Sequence, residues 1–137
     1  MVLVDTSVWV EVFRKSPRVQ LASLVDFDDI VTCLPIVQEV LQGFDAQPAF
    51  LRAKASMLAL PIVESPIGAD VFLESVDLYR AGRRAGVAIR SSTDCVIAAC
   101  AIRHQLEVLH ADRDYDAIAK ISSLQSRNIK RRAHPSA

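Results

Sequence analysis

Apolar positions in this chain occur as short uninterrupted blocks and as longer stripes at helical spacing. Val2 to Val4 is a block, which suits a central strand buried on both faces. Asp5-Thr6-Ser7 interrupts it with three residue types that favour turns and helix N-caps. The pattern next predicts a short helix over Val8–Phe13 carrying Trp9, a second helix over Arg18–Asp26, and a strand over Ile30–Cys33. Pro35 suits the first turn of a third helix, on which Ile36, Val37, Val40, Leu41 and Phe44 make one stripe and Gly43 marks the end. Glu39 lies off the centre of that stripe, facing either a cleft or water.

Ala49–Leu60 is helical in composition and Pro61 stops it; Ile62 and Val63 form a possible short strand. The longest helical stretch is Ala69–Ala85, with Val71, Phe72, Val76, Leu78 and Tyr79 assigned to its apolar side and Arg80, Arg83 and Arg84 to its basic end. Cations in a last turn favour the helix dipole, so that cluster has a structural explanation. Ser91-Ser92-Thr93 supplies an N-cap for a helix from Asp94 to about His104, apolar almost all round and therefore central. Glu107–His110 reads as a strand, Asp112–Asp116 as the turn after it and Ala117–Ile121 as a short helix. Without repeats or a linker, the 137 residues read as one α/β domain, a mainly parallel sheet flanked by helices.

Composition narrows the class more than the activity. Lys plus Arg and Asp plus Glu both number 16, so net charge neither favours nor excludes a nucleic-acid partner. Arg127, Lys130, Arg131 and Arg132 form a basic C-terminal tail over about 127–137, on an otherwise acidic body. Cys33, Cys95 and Cys100 are odd in number, lack a C-x-x-C pair and lie in apolar runs, which points to buried thiols in a reducing cytoplasm. The sequence shows neither a signal peptide nor a membrane span.

The candidate chemistry lies in acids at the ends of apolar runs: Asp5, Asp94 and Asp112, joined by Glu39. Ligands of open parallel sheets bind beyond the carboxyl ends of the strands, where such acids converge. Clustered carboxylates without cationic neighbours are costly unless they hold a divalent metal, which points to metal-dependent phosphate chemistry. Each acid alone also reads as a helix cap or a surface charge. The four glycines form no phosphate loop, no G-x-S-x-G elbow is present, and His104, His110 and His134 lack zinc spacing.

VLVDTSVWVEVFR, PIVQEVLQGF and RSSTDCVIAACAIRHQLEVLHADRDYDAIA together resemble the PIN-domain ribonucleases, and within them the VapC toxins of bacterial toxin–antitoxin pairs. The resemblance spans nearly the whole chain in order. It differs at His110, where the family often has Thr or Ser, and at Tyr115, where Phe is common. It implies a PIN-like three-layer fold and an endoribonuclease, dependent on Mg²⁺ or Mn²⁺, that hydrolyses RNA phosphodiesters with metal-activated water. Asp5, Asp94, Asp112 and Glu39 would be the catalytic and metal-binding acids, with Asp114 auxiliary. Thr6, Ser7, Arg14 and Arg90 are candidates for substrate contact. The expected partners are RNA, a VapB-like antitoxin that blocks the groove, and a second copy of the chain. The rival readings are a catalytically silent PIN-like module that binds RNA or protein, and a haloacid-dehalogenase-type phosphatase, although Ser7 stands where that chemistry needs a second acid.

Overall fold

Leu3 and Val4 are fully buried because their strand, β1 (Val2–Val4), lies inside a four-stranded sheet. In the computed structural model, which describes residues 1–130, β1 is flanked by β2 (Ile30–Val31) and β3 (Glu107–His110), and β4 (Gln125–Asn128) borders β3. Every pairing is parallel, with Val2 opposite both Ile30 and Glu107, and His110 opposite Asn128. All carboxyl ends therefore face one side, and Asp5 and Asp112 follow two adjacent strands there.

Six helices complete the fold: α1 (Thr6–Val12), α2 (Leu34–Leu41), α3 (Gln47–Leu58), α4 (Ala69–Arg84), α5 (Ser92–Arg103) and α6 (Arg113–Ile121). Their starts follow local chemistry. The Asp5 carboxylate caps α1, Ser91 Oγ accepts from the Asp94 amide of α5, and the Asp112 carboxylate caps α6. Proline occupies the first turn of α2 and α3. As its composition predicts, α5 is central: Cys95, Ile97, Ala98, Ala99, Cys100 and Ala101 are all buried. All three cysteines are buried and unpaired.

The structure departs from the sequence reading in several places. Instead of a helix, 18–26 contains one 3-10 turn over Leu21–Ser23, where the Ser23 amide and hydroxyl both donate to the Gln20 carbonyl and draw the chain into a tight turn. Ile62 contributes only a single parallel bridge, to Thr32. Helix α6 starts at Arg113 instead of Ala117, anchored by fully buried Tyr115 and Ile118. Strand β4 was not expected from its Gln-Ser-Arg-Asn sequence. Arg127 consequently belongs to the sheet, pairing with Glu107 at 3.4 Å and donating to the Leu24 carbonyl at 3.1 Å. Arg131 and Arg132 lie outside the described residues.

Helix α4 also buries only part of its predicted apolar side. It buries Val71, Ser75 and Gly82; Val71 and the half-buried Leu78 pack with the small Ala99 and Cys100 of α5, while Gly82 faces Ile89. Small residues allow close approach of the two helices, and this turns Phe72, Leu73, Val76 and Tyr79 out to solvent. No helix among the described residues is long and apolar enough to cross a membrane.

Candidate active site

Asp5 is 3% exposed, and hydroxyl groups engage both its oxygens. Its Oδ2 accepts from the Ser7 amide at 3.0 Å and the Ser7 hydroxyl at 2.6 Å, while Oδ1 accepts from the Tyr115 hydroxyl at 2.6 Å. Ser7 Oγ in turn accepts from the Ala111 amide at 2.9 Å, tying the ends of β1 and β3 together. Thr6 donates to Glu39 Oε1 at 2.9 Å, so α1 aims α2's acid into the same region. Thr6 and Ser7 therefore orient carboxylates here.

A tighter group lies beside Asp5. One carboxylate oxygen from each of Asp94, Asp112 and Asp114 falls within 4.8 Å of the other two. Asp112 Oδ1 accepts from the Asp114 amide at 2.9 Å. Asp114 Oδ2 takes the amides of Arg90 and Ser91, at 3.1 and 2.9 Å, which fastens the segment before α5 to α6. Asp94 Oδ1 lies 3.3 Å from the Tyr115 hydroxyl, whereas its Oδ2 is buried with no hydrogen-bond partner.

Electrostatics set these acids apart from ordinary surface carboxylates. Burial, then the charges of Asp5, Asp112 and Asp114, push the Asp94 carboxyl up to about 8, against a lowering contribution from Tyr115. Burial also raises Glu39; Thr6 opposes that shift, and Asp5 and Asp112 add to it. Among the described residues, no ion pair joins Asp5, Glu39, Asp94, Asp112 or Asp114 to a basic side chain.

Three converging carboxylates and an orphaned buried oxygen form a donor set that fits a hard divalent cation. Glu39 borders a groove of about 540 Å³ between α2, α4 and α5, whose walls include Phe72, Val76 and Ser92.

The PIN domain family model matches residues 2–121. The chain belongs to the PIN-domain family. Within the family, ribonuclease VapC11 of Mycobacterium tuberculosis is 37% identical over 135 residues, covering 95% of this chain and all of that protein. Solved PIN-fold neighbours include FitAB bound to a DNA fragment, with a TM-score of 0.75 and 19% identity, covering 98% of this chain and 99% of that one. A second is VapBC-5, a toxin–antitoxin system member from M. tuberculosis, with a TM-score of 0.70 and 20% identity, covering 93% and 98%.

This PIN domain brings Asp5, Glu39, Asp94, Asp112 and Asp114 to one end of the sheet. Asp114 shares the tight trio with Asp94 and Asp112, and Asp5 joins it through Tyr115. The candidate substrate arginines separate. Arg14 pairs with Glu11 at 3.2 Å and shares a cavity wall with Glu39, whereas Arg90 contributes its backbone to the acids and exposes its side chain. The structural roles of two residues were not apparent from sequence. Tyr115 bridges two acids, and His110 Nδ1 accepts from the Asp112 amide at 3.2 Å. His110 is fully buried, and that burial holds its pKa below the usual imidazole range. The sequence reading places Tyr115 in the turn after β3, and its bridge to Asp5, 110 positions away, leaves no local signal.

Proposed function

We propose that this chain is a metal-dependent endoribonuclease, the toxin of a toxin–antitoxin pair. The observation carrying the reading is the convergence of Asp94, Asp112 and Asp114 around a buried, unpartnered Asp94 oxygen in a PIN domain. VapC11, the 37% identical relative, is itself a ribonuclease.

Asp94, Asp112 and Asp114 would hold the cation, Mg²⁺ or Mn²⁺, with Asp5 beside them. When bound, the cation would stabilise charge on the phosphate and lower the pKa of water. The protein's own part is to hold these groups in place. Tyr115 fixes Asp5 and Asp94, the Arg90 and Ser91 amides fix Asp114, and Thr6 fixes Glu39 through Oε1. Glu39 Oε2 is then available to accept a proton, and the raised pKa of the group makes it a stronger base than a surface glutamate.

The antitoxin would be VapB-like and would occupy the groove beside Glu39, where exposed Phe72 and Val76 offer apolar contact. The chain would act as a homodimer in the cytoplasm. The test is incubation of antitoxin-free chain with total RNA in Mg²⁺ or Mn²⁺, beside an EDTA control and Asp94→Asn. Discrete fragments that vanish in both controls are expected. Cleavage that survives Asp94→Asn sinks the assignment of the acids.

A further inference from the structure

Four arginines stand within eleven positions at the end of α4 and in the segment after it: Arg80, Arg83, Arg84 and Arg90. All four are exposed, and among the described residues none forms an ion pair. Arg14, Arg103 and Arg127, by contrast, each pair with a carboxylate. Arg18 and Arg52 are also unpaired, but neither has a second unpaired arginine near it in sequence. The helix dipole accounts for Arg83 and Arg84 in the last turn of α4, but Arg80 lies nearly a turn earlier and Arg90 lies beyond the helix.

Two further observations give this patch shape and place. The Arg83 guanidinium lies 5.4 Å from the centre of the Tyr79 ring, itself 39% exposed. Both residues line an open pocket of about 330 Å³, together with Gly86, Val87, Ala88 and Ile89. The same segment ends in the active site, where the Arg90 and Ser91 amides hold Asp114. It is also pinned to α4. A Cβ at Gly82 would come within 2.6 Å of Ile89 Cδ1, so this glycine lets the segment lie against the helix. The basic patch and the acid cluster are therefore the two ends of one anchored segment.

We propose that Tyr79, Arg80, Arg83 and Arg84 form a binding site for RNA upstream or downstream of the cut, the arginines taking phosphates and Tyr79 stacking on a base. An acidic cleavage site repels the backbone it must cut, and a neighbouring row of unpaired guanidinium groups offsets that repulsion. Tyrosine beside arginine is the side-chain pair that single-stranded nucleic acid uses, a ring for stacking and a cation for the phosphate. Such contacts position the strand without reading its sequence.

The inference rests on the ribonuclease reading, and its test separates the two. Unfractionated transfer RNA is the probe. Binding is measured in EDTA over a range of salt, and cleavage in Mn²⁺, for wild type, Arg83→Gln/Arg84→Gln, Tyr79→Ala and Tyr79→Phe. Removal of two phosphate contacts is expected to weaken binding at least tenfold and to flatten the log–log salt slope by about 1.4 for a single strand. KM should rise with kcat unchanged. Tyr79→Ala should lose about fivefold or more, and Tyr79→Phe should keep wild-type binding. A double variant that cleaves with wild-type KM and salt slope overturns the site and leaves the nuclease standing. Arginine-dependent binding without wild-type cleavage does the reverse. Normal RNA handling by the double variant with a changed oligomeric state would assign the patch to a protein partner and overturn the proposal.

Discussion

Tyr115 has a single hydroxyl proton and lies between two carboxylates, 2.6 Å from Asp5 and 3.3 Å from Asp94. A lone O–H fully satisfies only one of them, and the shorter contact goes to Asp5. Tyr115→Phe should therefore destabilise the metal-free chain by about 1.5–3 kcal/mol, the scale of a hydrogen bond to a charged group, as read from urea unfolding in EDTA. Burial and the neighbouring charges of Asp5, Asp112 and Asp114, only weakly opposed by Tyr115, push the Asp94 carboxyl up to about 8. In the unfolded chain an aspartate titrates near about 3.9. Between those values the folded state binds more protons than the unfolded one, so stability falls as pH rises through the window. Glu39 is also raised and acts in the same direction, whereas buried His110, held below the usual imidazole range, acts the opposite way below about 6.5. Above that range the Asp94 effect stands alone of the three, so metal-free chain should melt at a higher temperature at pH 7 than at pH 8, and saturating Mn²⁺ should flatten or reverse that trend. A melting temperature in EDTA that climbs steadily from pH 7 to 8 would contradict the strained-carboxylate picture. Asp5 and Asp112 were legible in the sequence because each follows an apolar run, and Asp94 because it begins one; Glu39 stood out only by lying off the stripe of its helix. The Tyr115 bridge was not legible, because it joins Asp5 to a residue 110 positions away and leaves no local pattern.

Elements with a strong apolar period were readable, and those held by backbone pairing alone were not. Strand β3 matches its expected bounds of Glu107–His110, and α5 its expected burial. Strand β4 has no apolar residue to betray it and exists because β3 offers a free edge. Helix α4 shows the opposite failure. Its expected apolar side is only partly buried: Val71 and Leu78 pack with Ala99 and Cys100 of α5, Phe72, Val76 and Tyr79 are exposed, and Gly82 packs against Ile89. Gly82→Val tests this packing. The added side chain meets Ile89 and should cost about 1–3 kcal/mol, typical of overpacking. Because Ile89 directly precedes the residues whose amides hold Asp114, cleavage should fall further than the lost stability explains, measured below the unfolding transition. Full activity in a destabilised variant would show that the segment does not position the acid.

At the scale of the molecule, the acid cluster makes bound metal part of the folding equilibrium. A cation that binds only the folded state stabilises it by about 2.7 kcal/mol at a hundred times its Kd. Addition of Mg²⁺ or Mn²⁺ to a chelated sample should therefore raise the melting temperature, and Asp94→Asn should blunt the rise. No shift in wild type would count against a shared metal site. The sheet order has one more consequence. Strand β1 precedes every other described element in the chain, yet its central neighbour is β3, and Val2 pairs with Glu107. The Asp5 amide donates to the Leu109 carbonyl, and the Tyr115 hydroxyl reaches Asp5 from further still. Any portion of the chain that stops short of Glu107 lacks β3 and β4, two of the four strands, and two of the three clustered carboxylates. The acid group is therefore a property of the completed sheet and not of any one segment that contributes to it.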